Sequence, residues 1–394
     1  AAFAPVHAAD NTALVTGTPT SVSGPVSNDQ RNIQFKKFLK VEDGSTVPNV
    51  TFKFTISAGA AQSAGKNANG KTTQEIKAGI LPTSKDDQDT MVGTATFTSA
   101  NSTNNNNTDA EANEFTLKAG EAFAEAPVKL DFSKVTYTSA GIYRYIITES
   151  DPDNASFKAA GDVKSKALDV YVRRNTTTNN LEVQSLVLHK DPERQVLVDN
   201  TDTKEAGFLN EYTSHDLTFK KLTEGNQINP TDTFEFVLTI KNALKNTTFK
   251  VDTTNAGDQR NQNATLTTNE IGEGSVTVYL AKDQFVTVKG LNDGVDYTVK
   301  ETVDSNNLTS NGYSLKGATF TAGDDNTDSK GQTITLNNGA IHDDSMKGDV
   351  NLKFTNEKGG TIPTGIIFAV APFAVGAVVL AAFIIVKMRR TAKQ

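Results

Sequence analysis

A strand pattern that places a lysine inside an apolar row occurs twice along this chain. Residues Ile33–Leu39 alternate so that Lys37 shares one strand face with three apolar side chains. Residues Leu217–Lys221 repeat the arrangement, with Lys221 in the place of Lys37. Because a buried ammonium group is costly unless it is neutralised or paired, a fold with two such strands must provide partners for both lysines.

A glutamate and then an asparagine follow each lysine in the same order, each at the end of an inward-facing row. The carboxylates are Glu149 and Glu301, and the amides are Asn210 and Asn356, in segments 141–149, 297–301, 207–210 and 352–356. An interior lysine loses its charge more easily, and an interior glutamic acid keeps its proton. With an asparagine between them, the amine can attack the amide carbon and expel ammonia. The alternative is that all of these are ordinary strand residues whose charged heads reach solvent past an apolar stem.

Composition favours an all-β fold for the soluble part of the chain. There is no cysteine and no tryptophan, and strand-forming and turn-forming residues dominate. A length of 394 residues allows two or three domains with their own cores. The net charge of -7 gives no reason to expect a nucleic-acid partner.

The carboxy-terminal segment has the pattern of a membrane anchor. Residues 366–386 carry no charge, and a helix of that length spans the roughly 30 Å hydrocarbon core of a bilayer. The basic tail 387–394 follows directly, and the positive-inside rule places it in the cytoplasm. The rest of the chain is therefore expected outside the cell.

The amino-terminal segment resembles the end of a secretory signal. Residues 1–10 are small and apolar and then turn polar, and Val6-His7-Ala8 fits the small-x-small rule for cleavage. We interpret residues 1–27 as a signal-peptide remnant and amino-terminal segment. The alternative is an amino terminus without such a role.

The segment 361–365, Thr-Ile-Pro-Thr-Gly, stands immediately before the apolar run. The order of Pro-Thr-Gly element, membrane span and basic tail resembles the cell-wall sorting signal of sortase substrates in Gram-positive bacteria. Thr361 and Ile362 depart from the common Leu-Pro-x-Thr-Gly form toward that of streptococcal T-antigen-type pilins, which favours a pilin-specific sortase. The resemblance implies attack by a sortase cysteine on the Thr364 carbonyl and release of Gly365 onward. A simple tail-anchored protein is the alternative.

The two lysine, glutamate and asparagine sets resemble the domains of T-antigen-type major pilins, in which intramolecular isopeptide bonds form. The resemblance runs from Ile33 through the sorting signal. It implies one bond from Lys37 to Asn210 assisted by Glu149, and one from Lys221 to Asn356 assisted by Glu301. The expected architecture is two tandem immunoglobulin-like β-sandwiches, residues 28–210 and 211–357, followed by the sorting segment 358–394 with its transmembrane helix.

The function implied is that of a sortase-polymerised shaft subunit of a surface pilus that supports adhesion and colonisation. Its partners would be the pilin sortase, identical subunits, minor pilins, peptidoglycan and a host receptor. Polymerisation also requires an exposed lysine to receive the Thr364 acyl group; Lys204 is the first candidate and Lys190 the second. The alternative is a wall-anchored adhesin or minor pilin that is never polymerised.

An enzyme acting on an external substrate has little support in the sequence. The four histidines stand apart without metal-ligand spacing, and the chain lacks a cysteine nucleophile. We therefore expect no catalytic site for external substrates, no metal and no cofactor.

Overall fold

The computed structural model describes residues 33–193, 195–196, 204–306, 308–322, 332–334, 340–343 and 345–360, and these are mostly β-strand. The predicted all-β class is therefore confirmed at that level. The predicted segments 1–27, 361–365, 366–386 and 387–394 lie outside the described residues. Within the described residues, no helix is long and apolar enough to cross a membrane. The chain divides into two compact units, Ala1–Thr213 and Ser214–Gln394.

The first unit contains thirteen of the strands that the structure describes. They are β1 (Ile33–Glu42), β2 (Val50–Phe52), β3 (Phe54–Ala58), β4 (Gly65–Lys66), β5 (Thr72–Thr73), β6 (Lys77–Ala78), β7 (Ala95–Phe97), β8 (Glu121–Leu130), β9 (Gly141–Glu149), β10 (Phe157–Ala159), β11 (Ser165–Arg174), β12 (Leu181–His189) and β13 (Gly207–Tyr212).

Two main sheets form the first unit. One has the strand order β10-β13-β1-β8, and the other has the order β12-β11-β9-β3, with β6 also paired to β9. The two sheets pack face to face. Phe35 of β1 and Phe54 of β3 meet between them, with ring centroids 5.3 Å apart. Strands β1 and β13 are the first and last described strands of the unit. They are parallel neighbours in the sheet. Two short ribbons, β2 with β7 and β4 with β5, complete the described pairing.

The second unit contains the remaining described strands. They are β14 (Ser214–Glu224), β15 (Phe234–Lys241), β16 (Thr248–Thr253), β17 (Leu266–Thr267), β18 (Gly274–Leu280), β19 (Phe285–Asn292), β20 (Asp296–Glu301), β21 (Ser314–Ala322), β22 (Gln332–Ile334), β23 (Ala340–Asp343) and β24 (Val350–Glu357).

The second unit repeats the face-to-face arrangement with its own sheets. Their strand orders are β17-β16-β19-β14-β24-β21-β22 and β18-β15-β20-β23. Phe219 of β14 and Phe236 of β15 meet across the interior, with ring centroids 5.4 Å apart. Strands β14 and β24 are again parallel neighbours.

Short helices lie between the strands of the described residues. The α-helices are α1 (Lys85–Asp89) and α2 (Asn107–Ala112), and single 3-10 turns cover Ala160–Asp162 and Gln259–Asn261. The Asn106 side chain caps α2 by accepting a hydrogen bond of 3.0 Å from the Thr108 amide. Ala110 of α2 packs on Phe38, which points to the outer face of its sheet. Helix α2 therefore covers part of the outer face of the sheet that contains β1.

The outer face of the other sheet in the first unit buries an ion pair. Arg144 of β9 donates two hydrogen bonds of 2.8 Å to the carboxylate of Asp169 on β11. Their relative exposures are 3% and 0%. The amides of Gly59 and Gly79 each donate to the Arg144 carbonyl at 2.8 Å, and a Cβ atom on Gly59 would lie 2.4 Å from the Arg144 Cγ atom. Both glycines therefore lie beside β9 in the sheet, and a side chain at Gly59 would collide with that of Arg144.

Candidate functional site

Lys37, Glu149 and Asn210 meet in the interior of the first unit. The Lys37 side chain is 0% exposed, and its Nζ atom donates to Glu149 Oε2 at 2.8 Å and to Asn210 Oδ1 at 2.6 Å. The glutamate and the asparagine are also buried. The lysine nitrogen is therefore in contact with both a carboxyl group and a side-chain amide.

Strand pairing explains how residues so distant in sequence come together. In the parallel pair of β1 and β13, Lys37 lies opposite Phe208 and Leu39 lies opposite Asn210. Because side chains alternate along a strand, the lysine and the asparagine face the same side. Glu149 ends β9 of the facing sheet and reaches them across the core.

The second unit contains the equivalent set, Lys221, Glu301 and Asn356, all 0% exposed. The Lys221 Nζ atom donates to Glu301 Oε1 at 2.9 Å and Oε2 at 3.0 Å, and Asn356 Nδ2 donates to Glu301 Oε1 at 2.5 Å. In the parallel pair of β14 and β24, Lys221 lies opposite Phe354 and Thr223 lies opposite Asn356. This register has the same offset as in the first unit.

The two amide groups differ in orientation. Asn210 turns its oxygen to the lysine, and its Nδ2 atom has no hydrogen-bond partner in the described part of the chain. Asn356 turns its nitrogen to the glutamate, and its Oδ1 atom lacks a partner among the same described residues. The oxygen and nitrogen of an amide are nearly equal in size, so a half-turn of Asn356 would present its oxygen to Glu301. A protonated Glu301 could then donate to that oxygen.

Burial shifts both lysine amines toward the neutral form. Burial lowers the pKa of Lys37 to about 8, although the charge of Glu149 acts in the opposite direction. Burial likewise lowers the pKa of Lys221 to about 8 against the attraction of Glu301. Burial also raises the pKa of Glu301, which favours its protonated form. An uncharged amine, a proton donor and an amide are the groups that an aminolysis reaction needs.

Aromatic rings cover both amines, and our sequence interpretation missed them. The ring centroid of Phe52 lies 4.4 Å from Lys37 Nζ, and that of Phe234 lies 4.4 Å from Lys221 Nζ. Each ring belongs to the first residue of a Phe-x-Phe segment. The second phenylalanine, Phe54 or Phe236, lies opposite the glutamate of its set on the paired strand. The signal was present as Phe-Lys-Phe and Phe-Glu-Phe, each after a lysine strand.

The candidate acceptor lysines differ in accessibility. Lys204 is only 8% exposed, unlike the exposed lysine that polymerisation requires, and burial lowers its pKa. The neighbouring backbone is tied to the sheet, because the Glu205 amide donates to the Leu188 carbonyl at 2.9 Å. Lys190, which directly follows β12, is exposed.

The remaining predicted site residues fall elsewhere. Thr364 and Gly365 lie outside the described residues. Within the described ranges, no group of three or more histidine or acidic side chains is arranged to hold a metal ion.

Comparison with known proteins relates this chain to pilins. It is 26% identical over 249 residues to a protein named Pilin from Streptococcus pyogenes serotype M1. The match covers 62% of this chain and 66% of that relative, slightly less than two thirds of its length. The chain is a relative of a streptococcal pilin.

Two further comparisons, with a family of domains and with solved structures, were made for this chain. Residues 215–358 match a family described as Domain of unknown function (DUF7601). Among solved structures, the major pilin protein (T3.2) from Streptococcus pyogenes serotype GAS13637 is 18% identical, with a TM-score of 0.45 over 82% of this chain and 98% of that chain. The major pilin from Streptococcus pyogenes is 22% identical, with a TM-score of 0.44 over 83% and 99%. Both TM-scores are below 0.5, so the relationship rests on the sequence match.

Proposed function

We propose that this chain is the shaft subunit of a Gram-positive surface pilus, and that each of its units is closed by an intramolecular lysine–asparagine bond. The observation that carries the proposal is the repeated meeting of a buried lysine, glutamate and asparagine in the same strand register. The sequence relationship to a pilin supports the same function. In this proposal both units are immunoglobulin-like sandwiches; the expected boundary between residues 210 and 211 falls inside β13, so the division is moved to follow Thr213.

The bond-forming step follows from the groups present. The amine of Lys37, in its neutral form, attacks the Cγ atom of Asn210, and the carboxyl group of Glu149 assists by relaying protons as charge develops on the amide. The attacking nitrogen gives up one of its two protons, the glutamate carboxyl passes a proton to Nδ2, and the tetrahedral intermediate collapses by breaking the Cγ–Nδ2 bond and releasing ammonia. One C–N bond forms, one breaks, and no oxidant or external reactant is needed. Lys221, Asn356 and Glu301 take the same roles in the second unit.

Such a bond would stabilise an exported chain that has no cysteine. Each would close a loop of more than a hundred residues, which in the entropy model for long-loop crosslinks contributes roughly 5 kcal/mol. Because each bond joins the first and last strands of its unit, a force on the chain ends would load the bond before the sheet hydrogen bonds. The subunit would therefore resist extension.

Assembly would use the carboxy-terminal motif. A pilin-specific sortase would attack the Thr364 carbonyl through its cysteine, break the bond to Gly365 and hold the acyl group as a thioester. A lysine amine of the next identical subunit would then form the new amide bond. Exposure favours Lys190 over Lys204 as that lysine.

The cellular location follows from this sequence of steps. The precursor would be exported and held in the membrane by residues 366–386, and the finished polymer would be attached to peptidoglycan. Minor pilins would join the shaft, and the pilus would support adhesion to a host receptor and colonisation. In this role the chain acts on no external substrate.

A polymerisation assay tests the shaft assignment. The full chain is expressed with a streptococcal pilin sortase in a Gram-positive host, and wall extracts are run on a denaturing gel. We expect a high-mass ladder that collapses in Lys190→Ala and persists in Lys129→Ala, a lysine exposed on strand β8. A ladder that collapses only in Lys204→Ala would assign the acceptor to Lys204. A single anchored band in the parent chain would instead support a wall-attached protein that is not polymerised.

A further inference from the structure

The chain that leaves β24 is bonded to the loop that follows β14. The Lys358 amide donates to the Glu224 carbonyl at 3.0 Å, and the Gln227 amide donates to the Lys358 carbonyl at 3.1 Å. The Gly360 amide donates to Asn226 Oδ1 at 2.9 Å. We call residues 224–227 together with 358–360 the exit clasp. It holds the backbone as far as Gly360.

The side chain of Lys358 strengthens this attachment. Its Nζ atom donates to the Asn311 carbonyl at 2.7 Å and lies 4.9 Å from the ring centroid of Tyr313. Tyr313 is buried, and its hydroxyl donates to Asp232 Oδ2 at 3.0 Å. The ammonium therefore rests on a ring that is itself fixed.

The loop is shaped for close approach of the exit segment. Gly225 has a φ of +109°, which favours glycine, and a Cβ atom there would lie 2.3 Å from the Lys358 carbonyl oxygen. A side chain at this position would displace the exit segment. The contact between the loop and the exit segment is thus built into the backbone of both.

The exit clasp ends at Gly360, immediately before the sorting motif. Thr361 follows Gly360 directly, and the Thr364 carbonyl is four residues beyond the clasp, within roughly 14 Å of chain. An enzyme that takes hold of Thr364 must therefore work close to this surface. Because the clasp already orders residues 358–360, the enzyme does not have to order them on binding.

We propose that Asn226 and Lys358 are positioning residues that present the sorting motif to the sortase, and that the enzyme contacts the second unit around them. The inference rests on the proposed function, since it requires cleavage between Thr364 and Gly365. It adds to that function a surface on the folded unit that determines how well the enzyme recognises its substrate.

Cleavage kinetics on the full chain test the inference. The probe is a purified streptococcal pilin sortase acting on detergent-solubilised chain, with initial rates measured over a range of substrate concentrations. The variant Asn226→Ala/Lys358→Met removes the side-chain bonds of the clasp and keeps the apolar stem at 358. We expect kcat/KM to fall roughly tenfold, mainly through a higher KM, since about one residue's worth of ordering is lost.

Two matched controls separate positioning from general damage. Asn226→Asp keeps an oxygen acceptor for the Gly360 amide and should remain close to the parent. Lys250→Ala removes an exposed ion pair with Asp252, outside the exit clasp, and should also be neutral. Hydrogen exchange of the Gly360 amide gives a readout without the enzyme, with protection in the parent and loss of protection in the double variant.

Equal or faster cleavage of the double variant, with the Gly360 amide exposed as designed, would overturn the positioning role while leaving the proposed function intact. Continued protection of the Gly360 amide in the double variant would show that these side chains do not hold the segment, which also overturns the inference. Failure of the parent chain to be cleaved at Thr364 would overturn the proposed function and this inference together.

Discussion

Asn210 lies on the strand that pairs in parallel with the strand of Lys37, and its Oδ1 atom is 2.6 Å from the Lys37 Nζ atom. Lys221 and Asn356 occupy the same relative register in the second unit. The first and last strands of each unit thus bring the amine to the amide, and the two carboxyl groups reach them from the facing sheets.

Gly207→Ala should prevent the bond in the first unit while leaving that in the second. Gly207 lies opposite Lys36 in the parallel pair, and a Cβ atom there would be 1.6 Å from the Lys36 carbonyl oxygen. The start of β13 would have to move away from β1 and carry Asn210 with it. Peptide mass mapping should find the crosslinked peptide of the first unit lost. In the control Gly257→Ala, where no atom lies within 4 Å of the added carbon, both crosslinks should persist. Retention of the first crosslink in Gly207→Ala would contradict this dependence on strand pairing.

Phe234→Leu should slow bond formation in the second unit. Loss of ring area above Lys221 admits water to the amine, which raises its pKa from about 8 toward the ordinary value and reduces the neutral fraction. We expect formation to be about three- to tenfold slower, followed by mass spectrometry on chain from cell-free synthesis. Phe249→Leu, a similar truncation of a buried ring on β16, is the matched control. Equal rates for the parent and Phe234→Leu would remove the role assigned to the ring.

The variant Asn210→Ala should become more stable as the pH rises, because the buried Lys37 amine has a lowered pKa. This variant keeps the amine but cannot form the bond, and the pKa of Lys37 is about 8 in the folded state against an ordinary value of 10.5. Between those values the unfolded chain binds the proton and the folded chain does not, so stability rises as pH increases from about 8 to 10.5. Thermal unfolding across this range measures the effect. The double variant Asn210→Ala/Lys37→Met should lack this component, and identical pH profiles for the two variants would contradict it.

Asp169→Asn should destabilise the first unit strongly. It leaves the buried Arg144 guanidinium without its carboxylate, and breaking a buried pair typically costs about 3–5 kcal/mol. Denaturant unfolding should show the loss. Asp89→Asn, which removes an exposed ion pair with Lys85, should change stability by less than about 1 kcal/mol. Similar midpoints for the two variants would show that the Arg144 pair contributes little.

Local alternation was enough to predict the inward faces around Lys37 and Lys221, because each is set by neighbours within a few residues. The parallel pairing that joins β1 to β13 and β14 to β24 depends on the order of strands around each sheet, which alternation does not encode. Burial of Arg144 and Asp169 was not predicted either, because it depends on the pairing of β9 with β11 and on the close approach of Gly59 to the Arg144 side chain, which are contacts between residues distant in sequence. Lys204 was expected to be exposed because its neighbours in sequence are polar, but the backbone beside it is bonded to Leu188.

The intact mass of recombinant chain spanning residues 33–360 tests the central claim most directly. Each bond expels one ammonia, so the chain should weigh about 34 Da less than the sum of its residues. Glu149→Ala and Glu301→Ala should each restore about 17 Da beyond the mass of the substitution itself, in the matching unit. A parent chain whose mass equals the unmodified sum would show that neither bond forms, and would contradict the account.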